Sequence, residues 1–286
     1  MQPIPSIFSP NRLNRTLPAT LQEIVAKVNL DVILVTHNHF DHFDTAVVHL
    51  IPQTATWVVP MGMRSLLEKS GARSDRIVEL DWWQERVLTF STQAAGSAAV
   101  ATATSKARFN SSRQRQQNKR LNVRAFPALH WSARTGIDTN QSLWCSYSLQ
   151  TSFNVASAEA KVYFSGDTGY SASLTRAIGY HSGPFDLAFL PIGSYEPRWH
   201  MRPQHVSAQD SVLIARNIGA RRAVAMHWAT WVMSDEPWEA PALELEQTVA
   251  RVPPAVGYDV NNRKPWFDTM SLGETRLEPI AANSSH

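Results

Sequence analysis

"THNHFDHFD", Thr36 to Asp44, places three histidines and two aspartates in nine residues, directly after the apolar run "LDVILV" (30–35). In extended backbone alternate side chains share a side, so His37 and His39 point the same way and can grip one ion. Asp41 and His42 follow a turn and face elsewhere, which suits a second ion nearby. Imidazole and carboxylate without thiolate form the ligand set of zinc or a similar borderline divalent ion. A lone histidine in such a loop more often bonds backbone or water. The doubled pattern behind an apolar strand favours a metal.

Three more apolar runs end on a metal-competent side chain: "VRAFPAL" (123–129) on His130, "KVYFSG" (161–166) on Asp167 and "RRAVAM" (221–226) on His227. Strand C-terminal edges are where ligands collect in sheet proteins. "ATWVVP" (55–60), "LWCSYSLQ" (143–150) and "LAFLPI" (187–192) also read as strands, being short, β-branched or aromatic, and bounded by turn residues. "GMRSLLEKSG" (62–71) reads as a helix, as does "SAQDSVLIARNIG" (207–219), with Ser207 and Asp210 at capping-box spacing and a closing glycine. Strands mixed with helices predict an α/β (α+β) sheet protein with helices outside.

His37-x-His39-x-Asp41-His42 with His130, Asp167 and His227 resembles the metallo-β-lactamase superfamily. "ELDWW" (79–83), "PALHWSAR" (127–134), "FSGDTGY" (164–170), "GPFDLAFLPIGSYEPRW" (183–199), "PQHV" (203–206) and "MHWATW" (226–231) are similar to the N-acyl-phosphatidylethanolamine-hydrolysing phospholipase D family and its bacterial relatives. The resemblance implies one αβ/βα sandwich domain over 1–286. It implies two zinc ions, one on His37, His39 and His130, the other on Asp41, His42 and His227, with Asp167 bridging. It implies hydrolysis of N-acylphosphatidylethanolamine to N-acylethanolamine and phosphatidic acid by a water shared between the ions. Asp41, Asp167 and His205 are the expected catalytic residues; Gln204, His205 and Arg134 are expected to contact the substrate phosphate. The family's leading Gly-His-Ala-Thr-like strand pair and Asp-Pro strand have no counterpart here. The sandwich is therefore expected to lack its first strands, and the open edge left behind invites pairing with a second copy. The rivals are a hydrolase of a smaller soluble ester, lactone or phosphodiester, and a non-catalytic lipid- or partner-binding protein.

Composition narrows the class. Hydrophobic content of 43% and charged content of 18% fit a folded core. The single cysteine, Cys145, excludes an intrachain disulfide and a cysteine-based zinc finger. There is no secretory h-region and no apolar run near the roughly 18 residues of a membrane span, so an intracellular location, cytoplasmic or peripheral on a membrane, is expected. The stretch 91–122, rich in Ala, Ser, Thr, Gln and Arg, reads as a low-complexity insertion that reshapes the loop controlling substrate access. From Ser91 to Arg124 there are seven basic and no acidic residues. That charge suits an anionic membrane surface; with Phe109 as its sole aromatic, the insertion offers little stacking for nucleic acid. Glu196 and Arg198 are expected to pair with each other. His49, His181, His200 and His286 lack the strand-end context and are expected to be structural or at the surface.

Overall fold

Side-chain alternation along the strands sets the layers. The computed structural model describes residues 12–13, 17–91, 118–152, 159–253 and 265–277. A parallel sheet holds β1 (Val32–Leu34), β2 (Thr56–Pro60) and β3 (Ile77–Leu80) in that order. A second sheet is built from β4 (Glu85–Ser91), β5 (Asn118–Phe126), β6 (Ser146–Ser152), β7 (Ala160–Phe164), β8 (Phe185–Pro191), β9 (Ala220–Met226) and β10 (Phe267–Asp268). Its spatial order runs from β10 at one edge, in descending number, to β4 at the other. Strands β4 to β7 pair antiparallel, and β7 to β10 pair parallel.

On β2, Val58 points between the sheets, where it packs with Leu80, Val123, Ala125, Cys145 and Tyr147. Its neighbours Trp57 and Val59 point outward and meet Val48, Met63 and Leu67. Leu67 belongs to helix α2 (Arg64–Lys69); helix α1 (Leu21–Lys27) adds Leu21 to the same layer. The outer face of the large sheet carries Phe126, Tyr163, Ala188, Leu190 and Ala223. Ile178 of α3 (Ala172–Ser182), Val212 and Ile214 of α5 (Ala208–Asn217), and Leu245 of α6 (Ala240–Arg251) cover it. The short α4 (Arg198–Met201) lies between α3 and α5 in the chain. The result is the expected four-layer sandwich, helix–sheet–sheet–helix. The capping box at the start of α5 forms as the Ser207–Asp210 spacing predicts.

Two bonds across the sandwich fix the chain leaving β1. The Tyr147 hydroxyl donates to the Val35 carbonyl (2.9 Å), and the Cys145 N–H donates to the Thr36 carbonyl (2.9 Å). The histidine-rich stretch therefore starts from a point held by both sheets. Among the described strands β1 pairs only with β2.

The insertion needs correction. Residues 118–122 are strand, because Asn118 to Asn122 pair with Ser91 to Val87; polar alternation on a half-exposed ladder hid them. Residues 92–117 lie outside the described residues, but their anchor points, Ser91 and Asn118, face each other across the ladder. From there β5 runs about 25 Å toward His130. The anchors thus sit at the pole opposite the strand ends that matter; the expected effect of the insertion on the access loop falls on residues outside those described. Because Ser91 and Asn118 are cross-strand partners, a two-residue Asn-Gly turn can join them. Replacing 92–117 by Asn-Gly should leave the far-UV circular dichroism native-like and the thermal midpoint within a few degrees. A collapsed midpoint would show that these residues hold the fold.

Candidate metal centre

Backbone contacts bring the strand ends together. Gly166 has φ +59°, and a Cβ there would lie 2.7 Å from the Thr36 Cβ. Only glycine lets the loop after β7 press onto the loop after β1, which seats Asp167 among the histidines. Gly193, after β8, permits the equivalent approach to the His227 carbonyl, which a Cβ would meet at 2.5 Å.

Asp167 Oδ2 is the hub. His42 Nε2 lies 3.0 Å from it, His227 Nε2 3.2 Å, His130 Nε2 3.8 Å, and His37 Nε2 and His205 Nδ1 each 4.0 Å. Asp41 Oδ2 is 3.2 Å from His42 Nε2 and 3.5 Å from His227 Nε2. His39 Nδ1 faces His130 Nε2 at 3.2 Å. The donor atoms fall into two compact sets, His37/His39/His130 and Asp41/His42/Asp167/His227. A further overlapping set joins His205 to His130 and Asp167.

Outer contacts choose the free nitrogens. His130 Nδ1 donates to the Gln204 carbonyl (3.2 Å), leaving Nε2 as a lone pair toward Asp167. His37 Nδ1 bonds Thr36 Oγ1 (3.0 Å), leaving its Nε2 inward. Those inward atoms lack partners: His37, His39 and His42 Nε2, His205 Nδ1, both His227 nitrogens and Asp167 Oδ1 are buried without a hydrogen bond. Native structures rarely leave so many buried polar atoms unsatisfied in one place. Several inward lone pairs converging on a carboxylate are what a divalent cation satisfies. The nitrogen and oxygen donors suit zinc or a similar ion.

Charge tells the same story. Burial works against both carboxylates, yet the His227 and His42 imidazoles beside them hold Asp41 far below its usual range, and Asp167 likewise. Burial also opposes charge on His42, but Asp167 and Asp41 outweigh it and raise the imidazole to about 10; His227 is raised for the same reason. Burial dominates at His130, lowered to about 3, at His205, lowered to about 4, and at His37 and His39. Two charged imidazoles thus stand in for metal charge beside two carboxylates.

The remaining expected site residues part ways. His205 joins the cluster, buried and stacked on the His227 ring at 5.6 Å. Gln204 enters through its backbone carbonyl. Arg134, expected as a phosphate contact, is instead engaged with the metal-ligand loop. Its Nη1 donates to the carbonyls of Asn38 (2.8 Å) and Phe43 (2.7 Å), and the guanidinium lies 4.2 Å over the Phe40 ring. Arg198 pairs with Asp210 (2.6 Å) rather than with the Glu196 carboxylate, which accepts the Arg198 backbone N–H. His49, His181 and His200 are exposed, and His286 lies outside the described residues. Sequence reasoning missed Thr36, and it missed Glu236, whose carboxylate collects the backbone N–H groups of Ser194, Tyr195 and Glu196 behind the His227 loop.

Replacing Arg134 by alanine unties both carbonyls, a loss of about 2–3 kcal/mol. It should lower the thermal midpoint by several degrees and speed loss of a loaded divalent metal to a chelator at least tenfold; unchanged metal retention would refute the bracing role. The chelated protein should also show a defined pH optimum of stability. His37, His39, His130 and His205 stay neutral in the fold, so the unfolded chain binds more protons below 6.5, and stability falls with acid. The raised His42 and His227 stabilise fully below 6.5 and lose that contribution as pH rises toward about 10 for His42. Thermal melts from pH 5 to 9 should therefore peak near neutrality; a midpoint that climbs steadily to pH 9 would contradict this.

The chain matches the beta-lactamase superfamily domain over residues 1–228. It is 31% identical over 242 residues to the mitochondrial N-acyl-phosphatidylethanolamine-hydrolyzing phospholipase D of Saccharomyces cerevisiae, covering 84% of this chain and 44% of that protein. It is 30% identical over 235 residues to N-acyl-phosphatidylethanolamine-hydrolyzing phospholipase D 1 of Caenorhabditis elegans, covering 80% and 56%. The chain thus spans about half the length of the curated relatives it matches. Among solved structures it resembles an isothiocyanate hydrolase from Delia radicum gut bacteria (TM-score 0.59, 14% identity, covering 94% of this chain and 84% of that one). A metallo hydrolase from Ignicoccus hospitalis is similar too (TM-score 0.54, 17% identity, 91% and 84%). With the sandwich, the strand-end histidines and this match over most of its length, the chain belongs to the metallo-β-lactamase superfamily.

Proposed function

We propose that the chain is a phospholipase D-type phosphodiesterase that cleaves N-acylphosphatidylethanolamine to N-acylethanolamine and phosphatidic acid, with two zinc ions in its donor sets. The observation that carries this reading is a cavity of about 420 Å³ that begins at Asp41 and His227 and continues along Trp228, Trp231, Met233 and Trp238. An apolar passage opening on metal donors fits a substrate whose scissile phosphate sits beside long hydrocarbon chains. Val232 and Trp238, 51% and 53% exposed at its rim, suit contact with a lipid surface. The yeast and nematode relatives, both N-acyl-phosphatidylethanolamine-hydrolyzing phospholipases D, support the same substrate class.

When bound, the ions would supply positive charge to the phosphate oxygens and acidify a water. The chain's own residues do the rest. His37, His39 and His130 would hold one ion, Asp41, His42 and His227 the other, and Asp167 both. Asp41, which lines the cavity, would accept the proton released as water adds to phosphorus and return it to the ethanolamine oxygen as that bond breaks. His205, kept neutral by burial, offers a hydrogen bond to a phosphate oxygen or to the leaving oxygen. Gln204 holds His130 from outside. Membrane contact is proposed as peripheral: among the described residues no helix is long and apolar enough to cross a membrane.

The test compares hydrolysis of N-acylphosphatidylethanolamine vesicles with a soluble bis-aryl phosphate, with and without chelator. The lipid should be cleaved with kcat/KM at least a hundredfold higher, chelation should abolish both activities, and zinc should restore them. Asp167→Ala should cut activity at least a thousandfold and reduce bound zinc from about two per chain. Preference for the soluble substrate would assign a smaller phosphodiester, and zinc-free protein without activity would point to a binding function.

A further inference from the structure

His227 reaches the other donors on a strained loop. It follows β9 with φ +56°, and Ala229 has φ +51°. Left-handed backbone at two non-glycine residues so close together costs energy, and it persists only where surrounding contacts fix it. At the near end of the loop the Ile192 N–H donates to the Met226 carbonyl (3.1 Å), which keeps the chain beside β8 as far as His227. Midway, the Leu13 N–H donates to the Thr230 carbonyl (3.0 Å). The far end is held by Glu236.

Glu236 reaches across to the turn after β8, where Ser194 is also left-handed at φ +69°. That turn presents three successive N–H groups to one carboxylate. Ser194 and Tyr195 donate to Oε1, and Glu196 donates to Oε2 (3.0 Å). The Asp235 N–H returns a bond to the Glu196 carbonyl (3.3 Å). A carboxylate suits such a cradle, because both oxygens accept and the charge strengthens each bond. Glu236 also lines the cavity beside Ser194 and His227. With both oxygens given to backbone N–H groups, however, it is placed to hold the chain and not to take a proton. The cradling turn presses on the metal loop as well, since Gly193 lies against the His227 carbonyl. The turn is therefore fastened to the start of the His227 loop by packing and to its end by Glu236.

We infer that Glu236 is a positioning residue for metal binding. By closing the loop it keeps the His227 imidazole against Asp41 and Asp167, and so sets how tightly the Asp41/His42/Asp167/His227 donors retain an ion. His37, His39 and His130 follow β1 and β5, and they do not depend on this clamp. The inference rests on the reading of those four donors as a metal site.

Zinc affinity, read by competition with a chromophoric chelator, tests it. His227→Ala and His39→Ala identify which binding step belongs to which donor set. Glu236→Ala should weaken the His227-dependent step at least tenfold and leave the His39-dependent step within threefold of wild type. In the His227→Ala background Glu236→Ala should add less than twofold, because the ligand it holds is gone; in the His39→Ala background the full loss should remain. A single binding step that responds to His227→Ala is judged by the same tenfold criterion. Glu236→Gln keeps an oxygen for Ser194 and Tyr195 and should fall between alanine and wild type. It serves in place of the alanine variant if thermal melts of the metal-free proteins show that variant unfolded. Equal weakening of both steps would reveal a general loss of packing, and no weakening of either would leave Glu236 a loop cap. Each of these overturns the inference while the metal site stands. Zinc binding unchanged by His227→Ala would remove the metal reading of that donor set, and the inference with it.

Discussion

A carboxylate removed from water must be given positive charge or be neutralised. Asp167 is 4% exposed, and its Oδ2 has five imidazole nitrogens within 4.0 Å. Much else in the sandwich serves that arrangement. Gly166 lets the Asp167 loop touch Thr36, Tyr147 and Cys145 hold the chain that delivers His37, and Arg134 ties the two ends of the Asn38–Phe43 turn. None of these groups is a metal donor, yet each restricts where a donor can go. Preorganisation of this kind keeps mutually repelling and poorly solvated groups together before an ion arrives.

The sequence made the donors legible because chemistry and periodicity coincided. Four apolar strands each ran into a histidine or aspartate, and a strand's end fixes position more firmly than a loop does. The central strands are legible from their short apolar runs, the capping box at Ser207 from its spacing, and the four-layer order from the family resemblance. What stayed hidden had weaker local signals. The strand over residues 118–122 is polar on a half-exposed face, and nothing in its composition separates it from the low-complexity run before it. The bonds of Arg134 to the Asn38 and Phe43 carbonyls were hidden because they depend on residues more than ninety positions earlier. Arg198 lies two residues from Glu196 and twelve from Asp210, and the side chain pairs with the more distant one.

Two concavities divide the molecule by chemistry. The one at Asp41 and His227 is walled by tryptophan and methionine, and the one at Lys161 and Arg124 by amide, hydroxyl and cation. An apolar wall beside a strongly charged centre suits a ligand that is itself amphipathic. Both concavities draw on β7, since Lys161 lines one and the strand leads to Asp167 at the other.

The placement of Ser91 opposite Asn118 also bears on how such a chain can diverge. Length added between these partners extends a hairpin tip and leaves the ladder's register intact. Closing a longer loop costs only a slowly growing entropy, about 0.6 kcal/mol for each doubling. That pole can accept or shed sequence over evolutionary time while the donor-bearing pole stays frozen. A newly made chain end or a fused module would find the same tolerance there.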